Sequence, residues 1–462
     1  MVLQRQSSGH LIVVIGAGPA GIFATRKLVE SGHTVVLVNR DIKPGGLAEY
    51  GIYFNKHKMK EGIRKQFRTI LSSPDVHYVG HVRIGEKADL RLSELQAILQ
   101  PSATIIAVGA QGTKYLGIPG ERMPGVYHAK DVVYHYNLLP PFSGFHFDFG
   151  QRVAIIGIGN VMVDVAHYLV HEKRVAEVIV IARRGPRERA YSDAEIKAIS
   201  ANIDGESLRR ELERIRARLQ IYGQSLESLY DELMKYKDVP AKEGTSPTRV
   251  TFQYLSMPVE IVAGSFGHPT TVIVEDTELY KKEGEPFLFP RNLGTRRAIA
   301  VDSVVFAVGD EVDEALGIPF EAGIYPTNPS PDPEHPGDEQ YQLYDPVKQT
   351  VMEGMFCVGW SRKASDGVVG KTRQDAERGV VAVNHYLQRV QPGSSDQIAE
   401  KLTRLRQALQ IRGVQYVEYP AVQLLERLEQ QEAERRGLEF FKLATSHQML
   451  EAIRSGQIKP TE

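Results

Sequence analysis

Five glycines in two spaced sets, together with one pair of adjacent arginines, carry the clearest chemistry in this 462-residue chain. Gly16, Gly18 and Gly21 follow an apolar run at 11–15 and open a stretch of helical spacing at 22–30, after which a second apolar run occupies 34–38. This is the pattern of a βαβ unit with its glycines at the strand-to-helix turn. Gly16 permits the tight turn and Gly18 lets the backbone approach a pyrophosphate. Gly21 lets helix and strand pack closely, and the helix N-terminus faces the phosphate charge. The pattern returns at Gly157 and Gly159, between the run 152–156 and a helical stretch at 163–171, and the next run, 177–182, leads into Arg183 and Arg184. Two such units imply two dinucleotide sites, one for a resident cofactor and one for a cofactor that comes and goes.

The end of each second strand indicates which nucleotide belongs where. An acid there meets a ribose diol, whereas arginine accommodates a 2′-phosphate. Arg183 and Arg184 offer several charge-assisted hydrogen bonds to a phosphate dianion, so the second site is expected to take NADP(H). The first unit ends in Asn39-Arg40-Asp41. Asn39 departs from the acid expected of an FAD site, and its amide contacts ribose hydroxyls less strongly than a carboxylate.

Composition bounds the chemistry further. There is one cysteine, Cys357, so an internal disulfide, a CxxC pair and a four-thiolate iron–sulfur site are all excluded. Electron transfer must then use an organic cofactor, and with one no protein nucleophile or metal is required. Cys357 lies in an apolar run and reads as a buried structural thiol. A net charge of −1 argues against nucleic acid as a partner, and no apolar run is long enough to insert in a membrane. The first ten residues are too polar for a secretory signal, and a cytoplasmic protein is expected.

Two more apolar strands, 103–109 and 302–310, each reach a glycine at their end, and a last one at 354–360 precedes a long helix at 371–390. The order is first unit, second unit, then a return to the first. The expected fold is α/β, with two Rossmann-like nucleotide-binding domains and the NADP domain inserted into the FAD domain. The boundaries are 1–111 for the first part of the FAD domain, 112–318 for the NADP domain, and 319–462 for the rest with a helical tail. Residues 196–234 form a charged, helix-rich excursion, and 326–346 a proline-rich acidic loop without strand periodicity.

Taken together, these motifs resemble the adrenodoxin reductase family of NADPH–ferredoxin reductases. The resemblance runs through Gly16-Ala-Gly-Pro-Ala-Gly21, Gly45-Gly-Leu-Ala-Glu-Tyr-Gly51, Gly157-Ile-Gly-Asn-Val-Met-Val-Asp-Val-Ala166, Arg183-Arg-Gly-Pro186, Ala190-Tyr-Ser-Asp-Ala-Glu195, Gly359-Trp360 and Gly367-Val-Val369. The tail joins through Arg412-Gly-Val-Gln-Tyr-Val and Gln448-Met-Leu-Glu-Ala-Ile453. Position by position, the resemblance implies that Ala17, Asn39, Leu47, Val82, Trp360, Gly367, Val368 and Val369 serve FAD, beside Gly16, Gly18, Ala20 and Gly21 of the first turn. It implies Ile158, Gly159, Asn160, Val161, Arg183, Arg184, Glu195 and Gly367 for NADP(H). Amides at the start of the helix after Gly367 would face the flavin pyrimidine and favour negative charge there. Met162 stands where the family has a small residue, which would spread the second unit slightly. The family's active-site histidine aligns with Lys56, leaving His57 as an exposed loop histidine, and Tyr53 reads either as a flavin cover or as core.

The function implied is NADPH–ferredoxin (or flavodoxin) oxidoreduction through FAD. A chain like the small subunit of glutamate synthase is excluded by the single cysteine. The alternative readings are an NADPH-dependent quinone reductase, a flavin monooxygenase, or a nucleotide-binding redox subunit or sensor of a larger assembly. For an acidic carrier two basic stretches are candidates: 56–68, and the favoured stripe Arg210, Arg214 and Arg218 on one predicted helix.

Overall fold

A computed structural model describes residues 9–240, 244–285, 287–363 and 369–458. The chain divides into two units, Met1–Thr113 with Tyr134–Gly144 and Gly309–Glu462, and Lys114–Val133 with Phe145–Val308. The second unit is inserted in the first, and both are Rossmann-like.

In the first unit a six-stranded sheet runs Gln342–Asp345, Thr350–Cys357, Ala103–Ile106, Leu11–Ile15, Thr34–Val38, Val76–Val79. All neighbours are parallel except the first pair. The strand Leu11–Ile15 is buried at every position because its alternate residues feed two cores. Ile12 and Val14 pack with the helices Pro19–Glu30, Val369–Leu387 and Tyr419–Arg436. Leu11, Val13 and Ile15 pack with Leu92–Leu99 and Ser395–Ile411 on the other face. A parallel sheet covered on both faces needs unbroken apolar strands rather than alternating ones.

One sequence expectation is corrected here. The stretch 326–346 is not wholly irregular, since Gln342–Asp345 is an antiparallel edge strand of this sheet. Four residues paired on one side are too short to show a period.

The second unit holds a parallel sheet in the order Val126–His128, Ser303–Phe306, Arg152–Ile156, Glu177–Ile181, Arg249–Gln253. The charged excursion folds as the helices Gly205–Gln220 and Leu226–Met234. A three-stranded antiparallel sheet, Ser256–Ala263, Pro269–Lys281 and Leu288–Ala300, completes the unit. No sequence motif announced it, because its outer strand is largely exposed and carries polar residues on both faces.

Candidate functional site

The glycines of the first turn divide into two kinds. A Cβ on Gly16, where φ is +104°, would lie 2.4 Å from the Ala107 carbonyl oxygen, and one on Gly21 would lie 1.9 Å from that of Gly16. Both are required by packing alone. Gly18 is different. It caps the helix Pro19–Glu30 without a side-chain hydrogen bond, and the nearest atom to a Cβ there is the Gly46 Cα at 3.9 Å. The first amides of that helix therefore have room beside them for an anion.

Other expected residues assemble around this turn. The Gly45 N–H donates to the Ala17 carbonyl at 2.7 Å, and a Cβ on Gly46 would stand 2.8 Å from the Gly18 Cα. Leu47 opens the short helix Leu47–Tyr50 and packs against Tyr50, Tyr134 and Leu139. Val82 is buried in the second of the two cores, and its N–H donates to the Asn39 carbonyl at 3.0 Å. A Cβ on Gly359 would be 2.5 Å from that of Ala20, so the half-buried Trp360 sits in a 3-10 turn pressed on the first helix. That turn is pinned by Asp375, which accepts the Gly359 N–H at 2.6 Å and pairs with Arg362. Val369 begins the helix Val369–Leu387. Gly367 and Val368 lie outside the described residues. The Asn39 side chain is turned inward, onto Ala17 and the loop that follows it.

The second turn repeats the design. A Cβ on Gly157, with φ +129°, would lie 2.3 Å from the Ala307 carbonyl oxygen. Gly159 caps the helix Asn160–Tyr168 with no side-chain bond, and among the described residues a Cβ there would meet nothing within 4 Å beyond its chain neighbours. Val161, in the first helical turn, is 43% exposed, whereas Met162 is fully buried. The Ala190 N–H donates to the Ile158 carbonyl at 2.9 Å, and the Ser192 N–H to Asn160 Oδ1 at 2.9 Å. These two bonds clip the 190–195 segment, with half-buried Glu195, to the glycine turn.

Arg183 and Arg184 follow the strand Glu177–Ile181. Their backbone is held, since the Arg183 carbonyl accepts the Thr277 hydroxyl at 2.8 Å and the Arg184 carbonyl accepts the Leu255 N–H at 3.1 Å. Their guanidiniums have no carboxylate partner among the described residues, although Arg189, Arg214, Arg218 and Arg297 of the same unit all do. Arg184 Nε is buried without a hydrogen-bond partner. Burial and the neighbouring Arg184 together lower the Arg183 pKa. Two adjacent cations with no counter-charge are what an anionic ligand corrects.

Several other sequence expectations change. The arginine stripe is not a docking face. Arg214 forks onto Glu211 at 2.7 and 2.8 Å and reaches Asp276 at 3.0 Å. Arg218 donates to the Thr277 carbonyl at 2.8 Å, and only Arg210, paired with Glu206, is exposed. The helix turns that face onto the antiparallel sheet, where Asp276 joins the helix's own Glu211 in neutralising it. Arg214→Glu would set a third carboxylate beside Glu211 and Asp276, and it should cost about 3–5 kcal/mol of stability. Urea unfolding measures this, and a loss below about 1 kcal/mol would return the stripe to the surface.

His57 is not an exposed loop residue either. It begins the helix His57–Leu71 and stacks on Phe440 at 5.0 Å, with burial lowering its pKa. Tyr53 is buried between Phe54 and Tyr136. Cys357 is fully buried, and burial raises its thiol pKa to about 12.

Within the 56–68 stretch Lys60 and Arg64 are turned inward, into a cluster that no motif announced, while Lys58 and Lys65 stay exposed. Lys60 donates to Asn137 Oδ1 at 2.6 Å, and Arg64 forks onto Glu49 at 2.7 and 2.9 Å. Lys442 meets Glu49 at 2.5 Å, and Lys43 meets Glu429 at 2.6 Å. Burial, and then the adjoining Lys442, lowers the Lys60 pKa from 10.5 to about 7. Between these two values the unfolded chain binds a proton that the folded chain does not. The Lys60 contribution to stability therefore rises with pH across that window. Relative to wild type, Lys60→Met should lose about 2 kcal/mol between pH 7 and pH 9, because one proton released on folding changes stability by about 1.4 kcal/mol for each step of one in pH. A difference in unfolding free energy that stays constant over that interval would refute this.

Comparison with known proteins then decides the family. The profile of the pyridine nucleotide-disulphide oxidoreductases matches residues 10–251. The chain belongs to that family. The NADPH-ferredoxin reductase FprA of Mycobacterium tuberculosis is 27% identical over 407 residues, with 80% of this chain and 82% of the relative covered. The mitochondrial NADPH:adrenodoxin oxidoreductase of Salvelinus fontinalis is 25% identical over 97% of this chain and 92% of its own length. The solved structure of M. tuberculosis FprA in complex with NADPH superposes with a TM-score of 0.75 at 25% identity, covering 97% of this chain and 99% of that one. These relatives bear out the resemblance to NADPH–ferredoxin reductases. The disulphide chemistry in the family's name is out of reach of this member, whose one cysteine is buried. Among the described residues no group of His, Cys, Asp and Glu side chains is arranged to hold a metal, and no helix is long and apolar enough to cross a membrane.

Proposed function

We propose that this chain is an FAD-dependent NADPH–ferredoxin (or flavodoxin) oxidoreductase acting in the cytoplasm. The observation that carries the reading is the contrast between its two cradles. Both present a helix N-terminus without a side-chain cap behind a packed glycine, but among the described residues only the second has beside it two guanidiniums without an acid partner. The first cradle suits a resident FAD and the second a dissociable NADP(H). On this reading the FAD domain comprises 1–111 and 319–462 and the NADP domain 112–318.

The residues present fit both groups. Gly18 and the first amides of Pro19–Glu30 would bind the FAD pyrophosphate, with Gly16, Ala17, Ala20 and Gly21 shaping the turn. Leu47, Val82, Trp360 and the 367–369 segment would line the rest of that site, with Asn39 behind the turn. Gly159, Ile158, Asn160 and Val161 would bind the NADP pyrophosphate, Arg183 and Arg184 the 2′-phosphate, and Glu195 and Gly367 the remainder. FAD, when bound, supplies the exchange between a two-electron donor and a one-electron carrier. The chain contributes binding, orientation and electrostatics, and no side chain needs to act as nucleophile.

The test is direct. Denaturing the purified protein should release FAD. Anaerobic NADPH should bleach its absorbance much faster than NADH does, and ferredoxin or flavodoxin should restore it. Release of FMN or of no flavin refutes the FAD assignment. Bleaching without re-oxidation by either carrier, but with quinone turnover or no turnover, favours a quinone reductase or a sensor subunit.

A further inference from the structure

We propose that Asn39 governs FAD binding as a positioning residue, by locking the glycine turn to the 41–46 loop rather than by contacting the ribose. The proposal rests on the reading of the first cradle as the FAD site. Asn39 stands where an acid was expected, yet its side chain is committed inside the protein and the residue is only 8% exposed. Its Oδ1 accepts the Ala17 N–H at 3.0 Å. Its Nδ2 donates to the Asp41 and Lys43 carbonyls at 2.9 and 3.2 Å and lies 3.2 Å from the Tyr78 hydroxyl. One partner is a donor and two are carbonyl acceptors, so only a group carrying both an acceptor and a donor satisfies all three.

The loop held in this way then returns to the turn. The Gly45 N–H bonds the Ala17 carbonyl at 2.7 Å, and Gly46 lies against Gly18. Ala17 is thus clasped by Asn39 at its N–H and by Gly45 at its carbonyl, one residue before the glycine that a pyrophosphate must approach. The Tyr78 hydroxyl supports the same loop from below, 3.0 Å from the Ile42 carbonyl and 3.2 Å from that of Asp41. A carboxylate at position 39 would keep the bond from Ala17 but would turn its other oxygen on two carbonyls, with no proton to donate. In this chain the usual acid is therefore a loss.

The experiment compares wild type, Asn39→Asp and Tyr78→Phe. FAD affinity is read by fluorescence on reconstituting the apoprotein, NADP+ affinity by titration, apoprotein melting by calorimetry, and the held flavin by visible circular dichroism. Asn39→Asp should weaken FAD about tenfold or more, the worth of one or two lost hydrogen bonds. Tyr78→Phe, at a buried residue whose hydroxyl bonds only the loop and Asn39 among the described residues, should weaken FAD several-fold. Both should shift the flavin dichroism while leaving NADP+ affinity within about twofold. Tighter or unchanged FAD binding in Asn39→Asp overturns the proposal, as does unchanged binding in Tyr78→Phe. A parallel loss of FAD affinity, NADP+ affinity and apoprotein melting temperature also overturns it, by showing a general fold defect. Wild-type protein that takes up no FAD overturns the underlying reading and the proposal with it.

Discussion

Replacing Arg183 and Arg184 together by alanine will lower the preference for NADPH over NADH by about a hundredfold or more. Each charge-assisted bond to a phosphate is worth about 1.5–3 kcal/mol. The two side chains are neighbours serving one group, so their losses need not add. Among the described residues both guanidiniums lack an acid partner, and Arg184 Nε is buried without a hydrogen-bond partner. Among the described residues no carboxylate competes with the incoming phosphate, so its binding energy is not spent on breaking an internal ion pair there. The measurement is kcat/KM for both dinucleotides. The loss should fall on NADPH, because NADH has no 2′-phosphate. Removing the mutual repulsion of two cations should leave folding stability unchanged or slightly higher. A selectivity ratio that does not move would remove these residues from the site.

The second large effect separates glycines that the fold needs from glycines that a ligand needs. Gly159→Ala should fold with wild-type stability, since among the described residues an added methyl meets no atom beyond its chain neighbours within 4 Å, and yet lose NADP(H) affinity by about tenfold or more. Gly18→Ala should behave likewise toward FAD, its nearest neighbour being 3.9 Å away. Gly21→Ala should instead fail in folding, because its Cβ would fall 1.9 Å from a backbone oxygen that cannot withdraw. Circular dichroism melting together with equilibrium binding distinguishes these outcomes. Normal NADP(H) binding by Gly159→Ala would show that the pyrophosphate does not approach that amide.

These two predictions depend on residues whose meaning is legible from local spacing. A glycine turn between a strand and a helix is a local device, complete within about 30 residues, and each of its parts has one physical task. The same holds for arginines at a fixed offset after a second strand. The inserted order of the two units is also readable, because each nucleotide unit announces itself and the last apolar strands return to the first.

What stayed hidden depended on partners far away in the chain. Arg210, Arg214 and Arg218 share a helical spacing that suits a basic surface, but Asp276 and the Thr277 carbonyl, about sixty residues on, turn two of them inward. The cluster of Lys43, Glu49, Lys60, Arg64, Glu429 and Lys442 joins positions nearly 400 residues apart. No spacing rule connects them.

Asn39 shows the division most clearly. The sequence alone determined that a ribose-type acid is absent at position 39 and that an amide stands in its place. Only the tertiary structure decided what that amide does. Whether it faces a ligand or the Ala17 and Lys43 backbone depends on how the following loop folds back, and that loop is held by a tyrosine from another strand. Residue type sets which hydrogen bonds a side chain can make, and packing selects among them.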